Sequence, residues 1–522
     1  MTAFGDRLRA ANPRRARARR WLFVPYDQLH DGIGPLAHEP AHELGIVLVE
    51  SRGKAQRRPY HRQKLALVLS NLRHFALEQA ARGVAVRHVA TDDDYAAALL
   101  PLARELGPMR LQRPAERELR TELHPLVATG ALVEVPHAGW LTTTDDFAAI
   151  GGPPWRMDTF YRQVRRRSGI LMAGGKPTGG KWSFDAENRR PWRGTPAAPA
   201  PPTFAVDDVT REVGDLVGRT FASHPGTLRL EHLPATAADA ERLWQWALRE
   251  CLPHFGPFED AMAVSSSGLF HTRIAPLLNL HRLLPARVVA DVLATSLPLP
   301  SQEGFVRQIL GWREFVRHVH EATDGLRVAA GLTIDQNVLR GDLDLPPAFW
   351  GTESGLHCLD HIVRDVWNEA YGHHITRLMV LGNLATLIGV SPRQLTDWFW
   401  VAYADAYDWV VEPNVLAMAS YGVGGLMTTK PYVAGAAYID RMSDYCRDCA
   451  FDPKTTCPVT RLYWQFLAHN EERLAGNQRL AMPLRSVAKR PAAQRRLDAA
   501  TARWVRATLA KGERLTPEHR PD

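Results

Sequence analysis

No stretch of this sequence approaches the roughly 20 consecutive apolar residues that a membrane-spanning helix needs, so no bilayer anchor is expected. Cysteine is scarce as well, and five in 522 residues cannot form a disulfide framework. A secretory leader is not expected. Arg14 to Arg20 followed by Trp21-Leu22-Phe23-Val24 mimics one, but Pro25, Tyr26 and Asp27 end the apolar part too early. The expectation is a cytoplasmic protein. No G-x-G-x-x-G follows the first predicted strand, which removes direct support for a dinucleotide site there.

What is present is ordinary in bulk and uneven in detail. Hydrophobic residues make up 45% and charged residues 23%, as in soluble globular proteins, and 522 residues exceed a single core, so two or three domains are expected. The net charge of +8 and the pI near 9.3 suit a polyanionic partner, although a solvated basic face gives the same count. Three of the five cysteines are bunched near the C-terminus, a pattern that asks for a metal.

Residues 1–20 read as a basic, poorly ordered extension. Over 21–136, short apolar runs alternate with longer amphipathic ones: Trp21–Val24, Leu44–Glu50, Lys64–Arg82, Ala85–Ala90, Tyr95–Glu105, Met109–Gln112, Glu116–Thr129 and Leu132–Pro136. This βα alternation predicts an α/β domain with a parallel sheet covered on both faces. Asp27 and Glu50 fall just after predicted strands, where α/β ligands collect; capping helices is their alternative role. Residues 137–240 read as a connector with a Pro-Ala linker at 195–202. Tyr161 to Arg167 sets cations on successive turns of one short helix there.

From 241 to 470 the pattern is helical, with Ala237–Cys251, Pro285–Leu297, Gly304–Glu321, Leu356–Tyr371, Thr376–Ile388 and Pro392–Asp405 as predicted elements. Residues 471–522 form a basic tail that begins as helix. The central run is Tyr371-Gly372-His373-His374-Ile375-Thr376-Arg377-Leu378-Met379, in which two imidazoles and a guanidinium ride on an apolar helix.

That run resembles the Y-A-H-H-I-Q-R-L-M signature of the bacterial photolyases and cryptochromes that contain an iron–sulfur cluster. Further segments carry the same resemblance: Met157–Arg162, Pro177–Arg189, Gly304–Arg317 around Trp312-Arg313-Glu314-Phe315, Lys430–Tyr432 and Met442–Cys449. The resemblance implies an α/β Rossmann-like antenna domain followed by an all-α FAD-binding domain. It also implies light-dependent repair of UV-damaged DNA by a protein expected to be a monomer.

Within it, Thr272 matches the segment that cradles the flavin pyrophosphate, although Ala275 stands where a serine is more common. Gln308, Trp312, Asn383 and Asn414 match flavin-site positions, and Glu314 would face a lesion base or the cofactor. Arg377 and Asp405 match a guanidinium–carboxylate pair beside the isoalloxazine ring. Asp27 and Glu50 match contacts of a 6,7-dimethyl-8-ribityllumazine antenna. Met418 and Tyr421 match the loop near the lesion, where this sequence departs from the more common F-A-D-G-G. Some arginines of the 161–167 run are implied DNA contacts. Trp350 and Trp398 match an electron-transfer chain, and Phe399 stands where a tyrosine is frequent. Phenylalanine is much harder to oxidise, which leaves Trp400 and Trp409 as substitutes.

Cys358, Cys446, Cys449 and Cys457 match the ligands of a [4Fe-4S] cluster, with a four-cysteine zinc site as the rival on chemistry alone. Cys251 is left over. Reversal of a (6-4) photoproduct needs a proton as well as an electron, whereas a cyclobutane dimer splits without one. The histidine pair therefore favours (6-4) repair, with His374 as donor and His373 as its partner. The alternatives are a cryptochrome-type photoreceptor without repair and a DNA-binding protein with a zinc knot. A divalent ion such as Mg2+ beside Asp260 stays open.

Overall fold

The computed structural model describes residues 2–12 and 20–521. Five runs rich in Val, Leu and Ile form one parallel sheet: β1 (Arg20–Phe23), β2 (Leu44–Ser51), β3 (Ala85–Thr91), β4 (Met109–Gln112) and β5 (Leu132–Val135), in the order β3-β2-β1-β4-β5. All eight residues of β2 are buried, as expected for a strand covered on both faces. Gly45 pairs with Trp21 in register, and a Cβ there would lie 2.5 Å from the Trp21 ring, so the close approach requires glycine. The chain leaves β1 toward β2 and β3 and later crosses back to β4, which opens a crevice beyond the strand ends.

Two pieces expected outside this domain belong to it. Residues 3–11, read as poorly ordered, form a helix (Ala3–Ala11) whose Phe4 amide donates to Glu212 and whose neighbour Asn12 pairs with the Val86 backbone. The arginine run of 14–19 lies outside the described residues. The connector helix Asp208–Thr220 packs on the long helix Arg62–Ala81.

The rest is helical. Among the described residues, four stretches widen into π-helix: Ala247–Cys251, Arg307–Arg313, Thr376–Gly382 and Glu412–Ala419. Such stretches cost hydrogen-bond geometry and often sit at functional sites; three of these four carry residues singled out from sequence. The C-terminal helix Ala492–Ala510 packs on Pro458–His469, where buried Asp498 receives Arg461 and Arg490. No helix among the described residues is long and apolar enough to cross a membrane.

Candidate functional site

The helix His357–Glu369 ends at Ala370 in the left-handed region, and the chain turns through Gly372 into the π-helical stretch Thr376–Gly382. This turn splits the histidine pair. His373 points into the protein, is 4% exposed, and neither of its ring nitrogens has a partner. Its ring lies parallel to that of His271, with centroids 4.3 Å apart and planes 12° apart. His374 stays beside the other two rings, edge-on to His271 at 5.4 Å and 6.3 Å from His373 between centroids, but its side chain is 42% exposed, and its Nε2 sits 3.8 Å from Asp260 Oδ1. The protein still surrounds that ring on most sides. This enclosure lowers its pKa below the usual 6.5, and the Asp260 charge pulls the other way. Asp260 is itself raised by burial, against the effect of His374.

One turn on, Arg377 meets Asp405 through two parallel bonds of 3.0 Å, and its Nε donates to the Gly372 carbonyl at 2.7 Å. The guanidinium also lies 3.9 Å over the Tyr403 ring, whose hydroxyl is buried without a partner. Asn279 donates to the Asp405 carbonyl at 2.8 Å. The structure therefore joins the two residues expected as a pair from positions 28 apart in sequence. Thr272 stands between Leu269 (φ 43°) and Arg273 (φ 58°), both in the left-handed region that L side chains rarely adopt. Such strain persists where surrounding structure enforces it, commonly at ligand clamps.

The other expected flavin-site residues have protein partners. Gln308 donates to Glu259 at 2.7 Å; Glu259 also receives Asn188 and Arg307, and its burial raises its pKa. Trp312 leans edge-on against Phe315 at 6.3 Å. Asn383 exchanges both amide bonds with the Ala434 backbone, and Asn414 donates to the Val410 carbonyl of its own turn. Tyr421 is buried at φ 54°, and Met418 lies on the π-helical stretch before it.

Glu314 corrects an expectation. Its carboxylate is fully buried and accepts from the amides of Leu141 and Thr142 and from the Thr142 hydroxyl, so it clamps the connector to the helical domain. A carboxylate surrounded by three donors has no free face for a lesion base. Arg165 is corrected likewise: it is wholly buried and spends its guanidinium on the carbonyls of Ile170, Leu171 and Trp182. Arg162, Arg166 and Arg167 of the same helix are exposed.

Beyond the strand ends lies a cavity of about 80 Å³ lined by Glu50, Lys54, Tyr60, Lys64, Trp400 and Tyr407 among others. Burial alone would raise Glu50, but bonds from Arg73 and His88 bring it down to about 2. Asp27 is fully buried nearby with one carboxylate oxygen unpartnered, and burial pushes it up to about 7. Two carboxyls shifted in opposite directions thus flank one region.

Cys358, Cys446, Cys449 and Cys457 converge although Cys358 is far away in sequence. Burial, followed by the charges of the other three, raises the Cys358 thiol well above 9. Burial first, with neighbouring thiols and carboxylates, pushes Cys446 and Cys457 to about 12. Thiols gathered this closely would ionise together only beside a compensating cation that takes sulfur ligands. Cys251 is fully buried and separate.

Trp398 is buried, and Trp350 is 46% exposed. Trp367, which the sequence reading passed over, lies between them. It stands edge-on to Trp398 at 5.9 Å and stacks on Trp350 at 5.5 Å. His271 and Glu259 were missed for the same reason, since each becomes relevant through partners about 50 to 100 positions away, and no local pattern announces that.

Residues 22–232 match the family described as deoxyribodipyrimidine photo-lyase-related protein. The chain is 36% identical over 478 residues to the (6-4) photolyase of Agrobacterium fabrum, covering 88% of this chain and 93% of that protein. It superposes on a class III photolyase from Agrobacterium tumefaciens with a TM-score of 0.56, at 14% identity, covering 94% and 98% of the two chains. A Synechocystis cryptochrome gives 0.52 at 14% identity, with 92% and 93% covered. At such identity the superpositions speak for the fold alone, a parallel α/β domain joined to a helical one.

Proposed function

The chain belongs to the photolyase/cryptochrome family, in the branch of deoxyribodipyrimidine photo-lyase-related proteins, and on that premise we propose that it reverses (6-4) photoproducts in UV-damaged DNA under light. The observation that carries this reading is the placement of His374. It is 42% exposed, 3.8 Å from Asp260, and one helical turn from the buried Arg377–Asp405 pair. A reduced FAD, when bound, supplies the light-driven electron. Arg377 and Asp405 would hold its ring, with the guanidinium opposing negative charge there, while the strained backbone from Leu269 to Arg273 would meet its phosphates. The unpartnered nitrogens of buried His373 and the free hydroxyl of Tyr403 fit a polar ligand at this place. His374 would donate a proton to the lesion, and the Asp260 charge opposes the lowering of that imidazole by enclosure. Asp260 Oδ1 lies 3.8 Å from His374 Nε2, and its Oδ2 lies 3.4 Å from the Tyr438 hydroxyl and 3.7 Å from Arg189 Nε.

The four cysteines would hold a [4Fe-4S] cluster through their thiolates. The cavity beside Glu50 suits a ribityllumazine: Trp400 and Tyr407 offer ring surfaces, Lys54 offers a polar contact, and Glu50, held by Arg73 and His88, would act through its charge. The exposed arginines Arg162, Arg166 and Arg167 would meet DNA phosphates, and the lesion would turn out of the duplex toward His374.

Blue-light incubation of the flavin-reduced protein with a (6-4)-containing oligonucleotide tests the reading. Loss of the lesion is expected; full retention would leave the photoreceptor alternative.

A further inference from the structure

Trp398 and Trp350 each pack against one further indole, Trp367, whereas Phe399 at the neighbouring position offers no oxidisable ring. Phe399 stacks on Tyr403 at 5.3 Å, toward the Arg377 pair and away from the surface. Three observations single out Trp367 instead. Its ring contacts both tryptophans, edge-on to Trp398 at 5.9 Å and nearly parallel to Trp350 at 5.5 Å and 17°. Its Nε1–H donates to the Phe349 carbonyl at 3.0 Å, and Trp398 donates to the same oxygen at 2.9 Å, so one backbone group fixes both indoles. Its other face is covered by His61, stacked at 5.7 Å and 11°.

We propose that Trp367 is the middle member of a three-tryptophan relay, Trp350–Trp367–Trp398, that carries electrons from the surface to the flavin pocket and takes the place of an oxidisable residue at position 399. This deepens the proposed function, on which it rests. Trp398 ends the relay 6.0 Å from Tyr403, the ring beneath Arg377.

With a flavin bound, Trp398 would pass one electron to the photo-excited ring and regain one from Trp367, which would regain one from Trp350. A small-molecule thiol refills Trp350, which is 46% exposed. Two thiols deliver two electrons and two protons as they join in a disulfide, one electron per light-driven event. No bond to an indole forms or breaks. An amide carbonyl is a weak base, so the shared Phe349 oxygen stabilises an oxidised indole without removing its proton. His61 is compatible with this: burial lowers it to about 4, so near neutrality it places no positive charge against an oxidised Trp367.

The test uses the flavin-loaded, cluster-containing protein with W367F, W367Y and W350F. Under blue light with dithiothreitol, W367F and W350F are expected to photoreduce their flavin slower by an order of magnitude or more, and W367Y, which restores an oxidisable ring, to keep much of the rate. Time-resolved absorption should show the long-lived tryptophan radical of the unaltered protein collapse to a short-lived one in W367F. Dithionite-reduced W367F should repair like the unaltered protein, a split that simple structural damage would not produce. Photoreduction of W367F, or of W350F should W367F fail to fold, at the unaltered rate would overturn the relay. If the unaltered protein photoreduces through Trp367 yet repairs no lesion, the relay stands and the repair reading falls.

Discussion

The imidazoles of His271 and His373 lie parallel, 4.3 Å apart between centroids and tilted by only 12°. Two stacked rings at that spacing cannot both carry charge. Burial, reinforced by the neighbouring histidines and arginines, lowers both well below the usual 6.5, so both stay neutral near physiological pH. On the proposed reading, proton delivery falls to His374, the exposed member of the cluster. The stacked pair forms a rigid neutral wall behind it.

His374→Ala is expected to lower (6-4) repair by about 10²–10⁴-fold, the usual contribution of a positioned general acid. His373→Ala should instead act through flavin retention and packing, since its ring is buried against His271. Repair assays on dithionite-reduced proteins, beside flavin absorbance, separate the two. Equal loss of flavin in both variants would contradict the division of roles.

The rate should also depend on pH with a definite sign. A proton donor works in its protonated form, so repair is lost as pH rises through the His374 pKa, which enclosure sets below the usual value. Asp260 opposes that lowering. Asp260→Asn removes the opposing charge, lowers the imidazole further, and should move the descending limb of the rate profile to lower pH. Repair rates measured between about pH 5 and 8, the range in which histidine titrates, check the direction. A shift to higher pH would refute the pairing.

The α/β half was largely legible because short apolar runs and long amphipathic ones alternate without interruption; the strand Met109–Gln112 is read from sequence with its observed bounds. The helical half was legible as helix, yet its π-helical widenings at Arg307–Arg313 and Thr376–Gly382 left no mark in the apolar spacing. Arg377 and Asp405 could be paired because a motif resemblance tied them. His271, Glu259 and Trp367 gave no such sign. Glu314 misled because a motif fixes a residue's place on a helix but not the direction of its side chain, which here is set by the Leu141 and Thr142 amides. The helix Ala3–Ala11 was hidden behind the arginine-rich composition that follows it.

Removal of a cluster thiol should be felt beyond the site. Cys457 is the N-cap of helix Pro458–His469, and the C-terminal helix Ala492–Ala510 rests on that helix. Cys457→Ser should reduce iron content and visible absorbance and make the segment 458–510 exchange amide hydrogens faster, because metal binding contributes to folding free energy at such sites. Hydrogen exchange confined to residues 446–457 would mean that the metal site and the tail are uncoupled.

The Arg377–Asp405 pair supplies the sharpest test of how the pocket is held. Both side chains are largely buried, at 20% and 12% exposure, and both bonds of the fork are made. Asp405→Asn leaves the guanidinium charged in a nearly closed pocket with no counter-ion, and breaking a buried pair from one side costs about 3–5 kcal/mol. A bound flavin that becomes anionic on reduction would return part of the missing charge. The variant should therefore be less stable without flavin and recover more stability from the reduced cofactor than the unaltered protein does. Thermal denaturation with and without reduced FAD measures both effects. Equal stabilisation of the two proteins by the cofactor would show that Arg377 does not face the ring.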